Sequence, residues 1–145
     1  MPSVLRMRSI AFILCATSLA SCSQTYGPKG LSKPAYEATV RAVNALDRAR
    51  EYRGASALLF EPRYLDAERA IGELKSTEPI QHGAVGLKAE GCLLAMKLGR
   101  LEAEELADSV NANEPKKKQD AAMEQVRKAE TDLEACVAEV RGYLF

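Results

Sequence analysis

From Pro34 onward, apolar residues recur at alternating steps of three and four, the spacing that gathers them on one face of an α-helix. Ala35, Ala38, Ala42, Ala45, Ala49 and Tyr52, widened by Val43 and Leu46, predict a first helix over about 34–53. Ser32 is placed to cap it, Pro34 suits its first turn, and Gly54 ends or kinks it. An alanine stripe adds little apolar area but lets two helix axes approach closely. A second helix is expected from about Glu61-Pro62, where an early proline lacks only an N–H that has no helical partner. Tyr64, Ala67, Ile71 and Leu74 form its face, and it stops in Ser76-Thr77-Glu78-Pro79.

The third helix is the longest, over about 79–111, with Ala84, Leu87, Gly91, Leu94, Leu98 and Leu101 as its stripe, extended by Leu106 and Val110. Gly91 and Gly99 each cost ~1 kcal/mol against alanine inside a helix. Gly91 lies on the stripe, which implies close packing of a neighbour, whereas the sequence offers no reason for Gly99. Asn111-Ala112-Asn113-Glu114-Pro115 reads as a turn, with Asn113 a candidate cap for a fourth helix. That helix carries Ala122, Val126, Ala129, Leu133, Cys136 and Val140 and runs almost to Phe145. No segment shows strand periodicity. Four amphipathic helices joined by short turns predict an all-α, up-down four-helix bundle of two antiparallel hairpins, the longer third–fourth pair clasped by the shorter first–second pair.

The first 33 residues behave differently. Arg6 and Arg8 precede an apolar run from Ile10 to Leu19, broken only by Thr17 and Ser18. That layout is a secretory signal, too short to span a bilayer, which takes ~20 apolar residues. Leu19-Ala20-Ser21-Cys22 then resembles the lipobox of bacterial lipoproteins. The resemblance implies removal of residues 1–21 and attachment of lipid to the sulfur and new amino group of Cys22. Acyl chains at ~0.8 kcal/mol per buried methylene would hold such a protein essentially permanently at a membrane. Ser23, rather than Asp, after the lipidated Cys implies by the same resemblance sorting to the outer membrane; a periplasm-facing domain is expected, with the cell exterior the alternative. Residues 22–33 are polar, contain Gly27-Pro28 and Gly30, and read as a flexible lipidated tether. Its eleven residues after Cys22 reach at most ~36 Å. Residues 34–145 form the bundle domain.

Removal of the signal leaves 124 of the 145 residues, enough for one modest domain. Arg6 and Arg8 leave with it, so 18 basic side chains face 20 acidic ones. A slightly acidic chain gives no electrostatic case for nucleic acid, which calls for a clustered basic surface.

Cys15 goes with the signal and Cys22 carries lipid, which leaves Cys92 and Cys136 as a pair in a compartment where disulfides persist. Cys92 lies about 20 residues before the third turn and Cys136 about 24 after it, within ~6 Å of helical rise of the same level. A bridge between them is feasible, two buried thiols being the alternative.

Candidate chemistry is sparse. His82 is the one histidine, at the start of the third helix, with no Cys, Asp or second His at ligand spacing; no metal or cofactor is expected. Glu102, Glu104, Glu105 and Asp108 interleave with Leu101, Ala103 and Leu106 as a solvated helix face does. Lys116-Lys117-Lys118 is the one basic run, a solvated helix start whose cations oppose the helix dipole, or a contact for lipid headgroups or an acidic partner. No phosphate-cradling glycine loop, nucleophile elbow or Cys-x-x-Cys is present, so no enzymatic activity is expected.

Around the first turn, Ala57-Leu58-Leu59-Phe60-Glu61-Pro62-Arg63-Tyr64-Leu65-Asp66-Ala67 is similar to a pattern in a family of small bacterial envelope proteins of unknown function. There an Ala-rich helix leads through an aromatic-x-Pro-x-x-Leu step to a second one. Phe60, Pro62 and Leu65 match, and Glu68, where that family has Ala, does not; the likeness implies a helical hairpin and supplies no function. The expected role is therefore a non-catalytic scaffold or adaptor in an envelope assembly, held by membrane lipid through Cys22, with homo-oligomerisation through the leucine-rich third and fourth helices an addition. The alternatives are a secretion pilotin that binds a partner helix between the first and second helices near Tyr52, Phe60 and Tyr64, and a lipid or small-molecule binding protein.

Overall fold

The computed structural model describes residues 24–77 and 84–145, so Cys22 and His82 lie outside the described residues. Four helices follow one another: α1 (Lys33–Glu51), α2 (Ala57–Thr77), α3 (Ala84–Asn111) and α4 (Lys116–Arg141). They form an all-α up-down bundle in which α3 packs chiefly on α4 and α1 on α2, with lesser contacts from α2 to α3 and from α1 to α3 and α4. No named strand occurs among the described residues.

The start of α1 follows its sequence closely. Ser32 Oγ accepts a hydrogen bond from the Ala35 N–H at 3.3 Å, with Pro34 in the first turn. Ala35, Ala38, Ala42, Val43, Leu46 and Ala49 are buried, and the buried Thr39 hydroxyl is satisfied by donating to the Ala35 carbonyl at 2.7 Å. The helix ends at Tyr52, whose N–H reaches the Ala49 and Arg50 carbonyls.

α2 begins four residues earlier than the proline suggested. The Ser56 carbonyl accepts from the Leu59 and Phe60 N–H groups, so Phe60 enters the core and Pro62 sits inside the helix. The bond that Pro62 cannot donate would have gone to Leu58, on an exposed turn.

The largest departure is in α3. Its buried residues are Val85, Gly86, Ala89, Cys92, Leu93, Met96 and, near its end, Ser109, whereas the stripe expected in the core faces solvent: Leu87 is 63%, Leu94 58%, Leu98 53% and Leu101 49% exposed. The disulfide supplies the physical reason. Cys92 and Cys136 are bridged, with Cα atoms 5.5 Å apart, so Cys92 must face α4. Leu94 then lies ~200° around the helix from it. The two glycines exchange roles accordingly: a Cβ on Gly91 would meet open space, while one on Gly99 would stand 3.4 Å from the Ala129 Cβ. Gly99 thus faces α4, where an added methyl would make an ordinary contact with Ala129, and Gly91 faces solvent.

Asn113 is not a cap for α4. It adopts φ 50°, the left-handed turn that ends α3, and its N–H bonds the Val110 carbonyl; Pro115 precedes α4. Beside it the Ser109 hydroxyl donates to Glu114 Oε2 at 2.8 Å, which satisfies a buried serine.

Part of the expected flexible tether is ordered. Tyr26 and Leu31 exchange both backbone hydrogen bonds, at 2.8 and 2.9 Å, around a turn with Gly27 and Gly30 at positive φ. Leu31 is buried, the Tyr26 ring lies 5.7 Å from Tyr36, and the Tyr36 hydroxyl bonds the Leu144 carbonyl. This hook docks on the C-terminal end of α4, since a Cβ on Gly27 would overlap the Tyr143 carbonyl oxygen. Burial of Leu31 and the tyrosine pair is the apolar gain that a polar composition concealed.

Candidate helix-docking surface

Polar bridges show how far the short hairpin reaches along the long one. Lys75 of α2 pairs with Glu90 of α3 at 2.7 Å, while Lys88 and Glu139 tie α3 to α4 within the long hairpin. Arg100 Nη1 donates to the carbonyls of Arg53 and Ala55 at 2.9 and 3.0 Å, and Arg53 pairs with Glu130 at 2.7 Å. The α1–α2 turn therefore meets α3 at Arg100 and α4 at Glu130. Beyond it the tip of the α3–α4 hairpin projects, as the difference in helix length had implied.

The three aromatics singled out in the sequence do gather at this turn. Phe60 is buried, with its ring 5.7 Å from Tyr64 and the Arg100 guanidinium 4.5 Å from its centroid. Tyr52 is half-buried, with the Arg63 guanidinium 3.5 Å over its ring. Burial, followed by the nearby Glu68 charge, pushes the Tyr64 hydroxyl pKa upward.

Among the described residues, the apolar groove that Phe60 and Tyr64 line lies away from the α1–α2 seam. It opens between α2 and α3. Phe60, Tyr64, Leu65 and Leu101 supply its apolar walls, Glu61, Lys97, Arg100 and Glu104 its charged rim, and its volume is about 340 Å³. Tyr52 does not line it. Leu65, Lys97, Arg100 and Leu101 were not anticipated as part of a site. The signal was present: once Cys92 is required to face Cys136, the stripe bearing Leu94, Leu98 and Leu101 must turn outward.

A second space of about 270 Å³ lies where the α1–α2 turn ends, between Met96, Gly99 and Ala103 of α3 and Val126, Ala129 and Leu133 of α4. Arg53 and Glu130 border it.

The remaining candidates stay apart from this surface or join it only as rim. In the acidic run, Glu104 pairs with Arg100 at 3.6 Å. No group of three His, Cys, Asp or Glu that could hold a metal ion occurs among the described residues. Lys116 and Lys117 are exposed, and Lys118 pairs with Glu114 at 3.5 Å. No described helix is long and apolar enough to cross a membrane. No family model matches this chain, and neither a curated protein nor a solved structure matches it.

Proposed function

We propose that this protein is a lipid-anchored, non-catalytic adaptor of the bacterial outer membrane, facing the periplasm, whose α2–α3 groove receives an amphipathic helix of an envelope partner. The groove is the observation that supports this reading: apolar walls from Phe60, Tyr64, Leu65 and Leu101 lie within a rim carrying both charge signs. A helix with apolar residues at steps of three and four and flanking charges is complementary to such a surface. Anchoring rests on the Leu19-Ala20-Ser21-Cys22 motif, and the bundle supplies a braced platform behind the tether.

Two measurements test the two halves. Metabolic labelling with radioactive palmitate should mark the wild-type chain and not Cys22→Ser, and only the labelled protein should fractionate with membranes. A photo-crosslinking residue at position 65 should capture one discrete partner in intact cells, and the same residue at Glu134, exposed on α4, should not. Equal capture at both positions, or none at 65, would remove the groove from the account.

A further inference from the structure

We propose that the outward face of α3 is the seam of a parallel homodimer, with a second copy of this chain as its occupant; the seam borders the α2–α3 groove at Lys97 and Leu101, so there a second copy and a partner helix compete. Leu87, Gly91, Leu94, Leu98 and Leu101 follow one another at steps of four, three, four and three, the spacing of a coiled-coil seam. The leucines are half to two-thirds exposed and point away from the core. An added Cβ at Gly91 meets nothing within 4 Å, so a second helix can lie close at that level. The helix is already formed and tied to α4 through Cys92, so pairing does not carry the nucleation cost that makes a short isolated seam weak.

The charges beside the seam select the occupant. Glu90 is neutralised by Lys75, Lys88 by Glu139 and Glu104 by Arg100, all within one chain. Lys97 and Glu102 form no ion pair among the described residues, and they lie on opposite flanks of the leucines, five positions apart. That offset is the one by which a residue on one flank meets the opposite flank of a parallel neighbour. Lys97 of each copy then faces Glu102 of the other, so the stretch from Leu87 to Leu101 complements itself, and the paired region ends before Glu105 and Asp108, which would oppose their own copies at the next seam positions. An antiparallel pair that sets Leu94 against Leu98 would instead bring the two Lys97 side chains together.

Direction also agrees with the chain ends. The hook at Tyr26–Leu31 and the start of α3 share one end of the bundle, because α1 and α3 run the same way. Parallel α3 helices therefore leave both chain beginnings on the same side, where one membrane can hold both. This last point rests on the anchoring proposed above; the charge pattern does not.

The test uses the full chain in its own membrane. Leu94→Cys and Leu98→Cys are expressed singly, oxidised mildly and resolved on a non-reducing gel, with the exposed Ala121→Cys as reference. Each seam variant should link to itself as a dimer and Ala121→Cys should not. Adding Lys97→Glu should abolish the Leu98→Cys dimer, and Lys97→Glu with Glu102→Lys should restore it. Absence of self-linking in membrane-bound protein overturns the proposal. So does linking only when the two seam variants are co-expressed, or linking only to a different protein. Palmitate labelling of the same cells reads the anchor separately: links without label defeat the anchoring, and label without links defeats the seam.

Discussion

Replacing both Cys92 and Cys136 by alanine removes the covalent tie between α3 and α4 and substitutes small apolar side chains for the sulfurs. In the folded protein little else changes, because the helices pack along most of their length. The effect lies in the unfolded chain, which regains the freedom of a loop closed by residues 44 apart. Loop-closure entropy puts that gain at about 13 cal/mol/K, or ~4 kcal/mol at 25 °C. With an unfolding entropy of ~2.1 cal/mol/K per residue, the melting temperature should fall by about 15 °C. Urea titration followed by circular dichroism measures the loss, and wild-type protein reduced with dithiothreitol should lose nearly the same amount. The urea dependence should also steepen, because an unlinked unfolded chain exposes more surface. A loss below about 1 kcal/mol, or no change on reduction, would refute the unfolded-state account of this bridge.

The choice of face on α3 has its own test: Met96→Ala, at a fully buried position, should cost about 3 kcal/mol, while Leu98→Ala should change monomer stability by less than ~1 kcal/mol in urea unfolding at dilute concentration. Gly27→Ala should cost about 1–2 kcal/mol from the left-handed backbone alone, with a further loss as the hook is pushed off the Tyr143 carbonyl, and should increase amide exchange at Tyr26 and Leu31. The Ser109 hydroxyl, then the Lys118 charge, hold the Glu114 carboxyl below the usual glutamate pKa, so Ser109→Ala should raise it in a carbon-13 NMR titration. Because that folded-state value is lowered, the stability it contributes is present above the ordinary glutamate pKa of ~4.3 and is lost as pH falls through the lowered value; the gap between wild type and variant should narrow in acid.

Local pattern was enough to determine four helices, their order and the short turns that make neighbours antiparallel, and to put two cysteines at matching heights on one hairpin where a bridge is feasible. Each is a short-range property: capping at Ser32, the breaker at Gly54, periodic alanines on α1, and residue counts about the third turn. Which side of α3 faces inward was a different kind of question. Two apolar stripes share that helix, and the larger side chains of Leu87, Leu94, Leu98 and Leu101 outweigh Val85, Ala89, Cys92 and Met96 in any local measure of hydrophobicity. Only the packing of α4 against Cys92, fixed by the bridge to Cys136, chose the smaller set. The groove between α2 and α3 and the docked hook at Tyr26–Leu31 were decided at the same level, because each depends on surfaces brought together from distant parts of the chain.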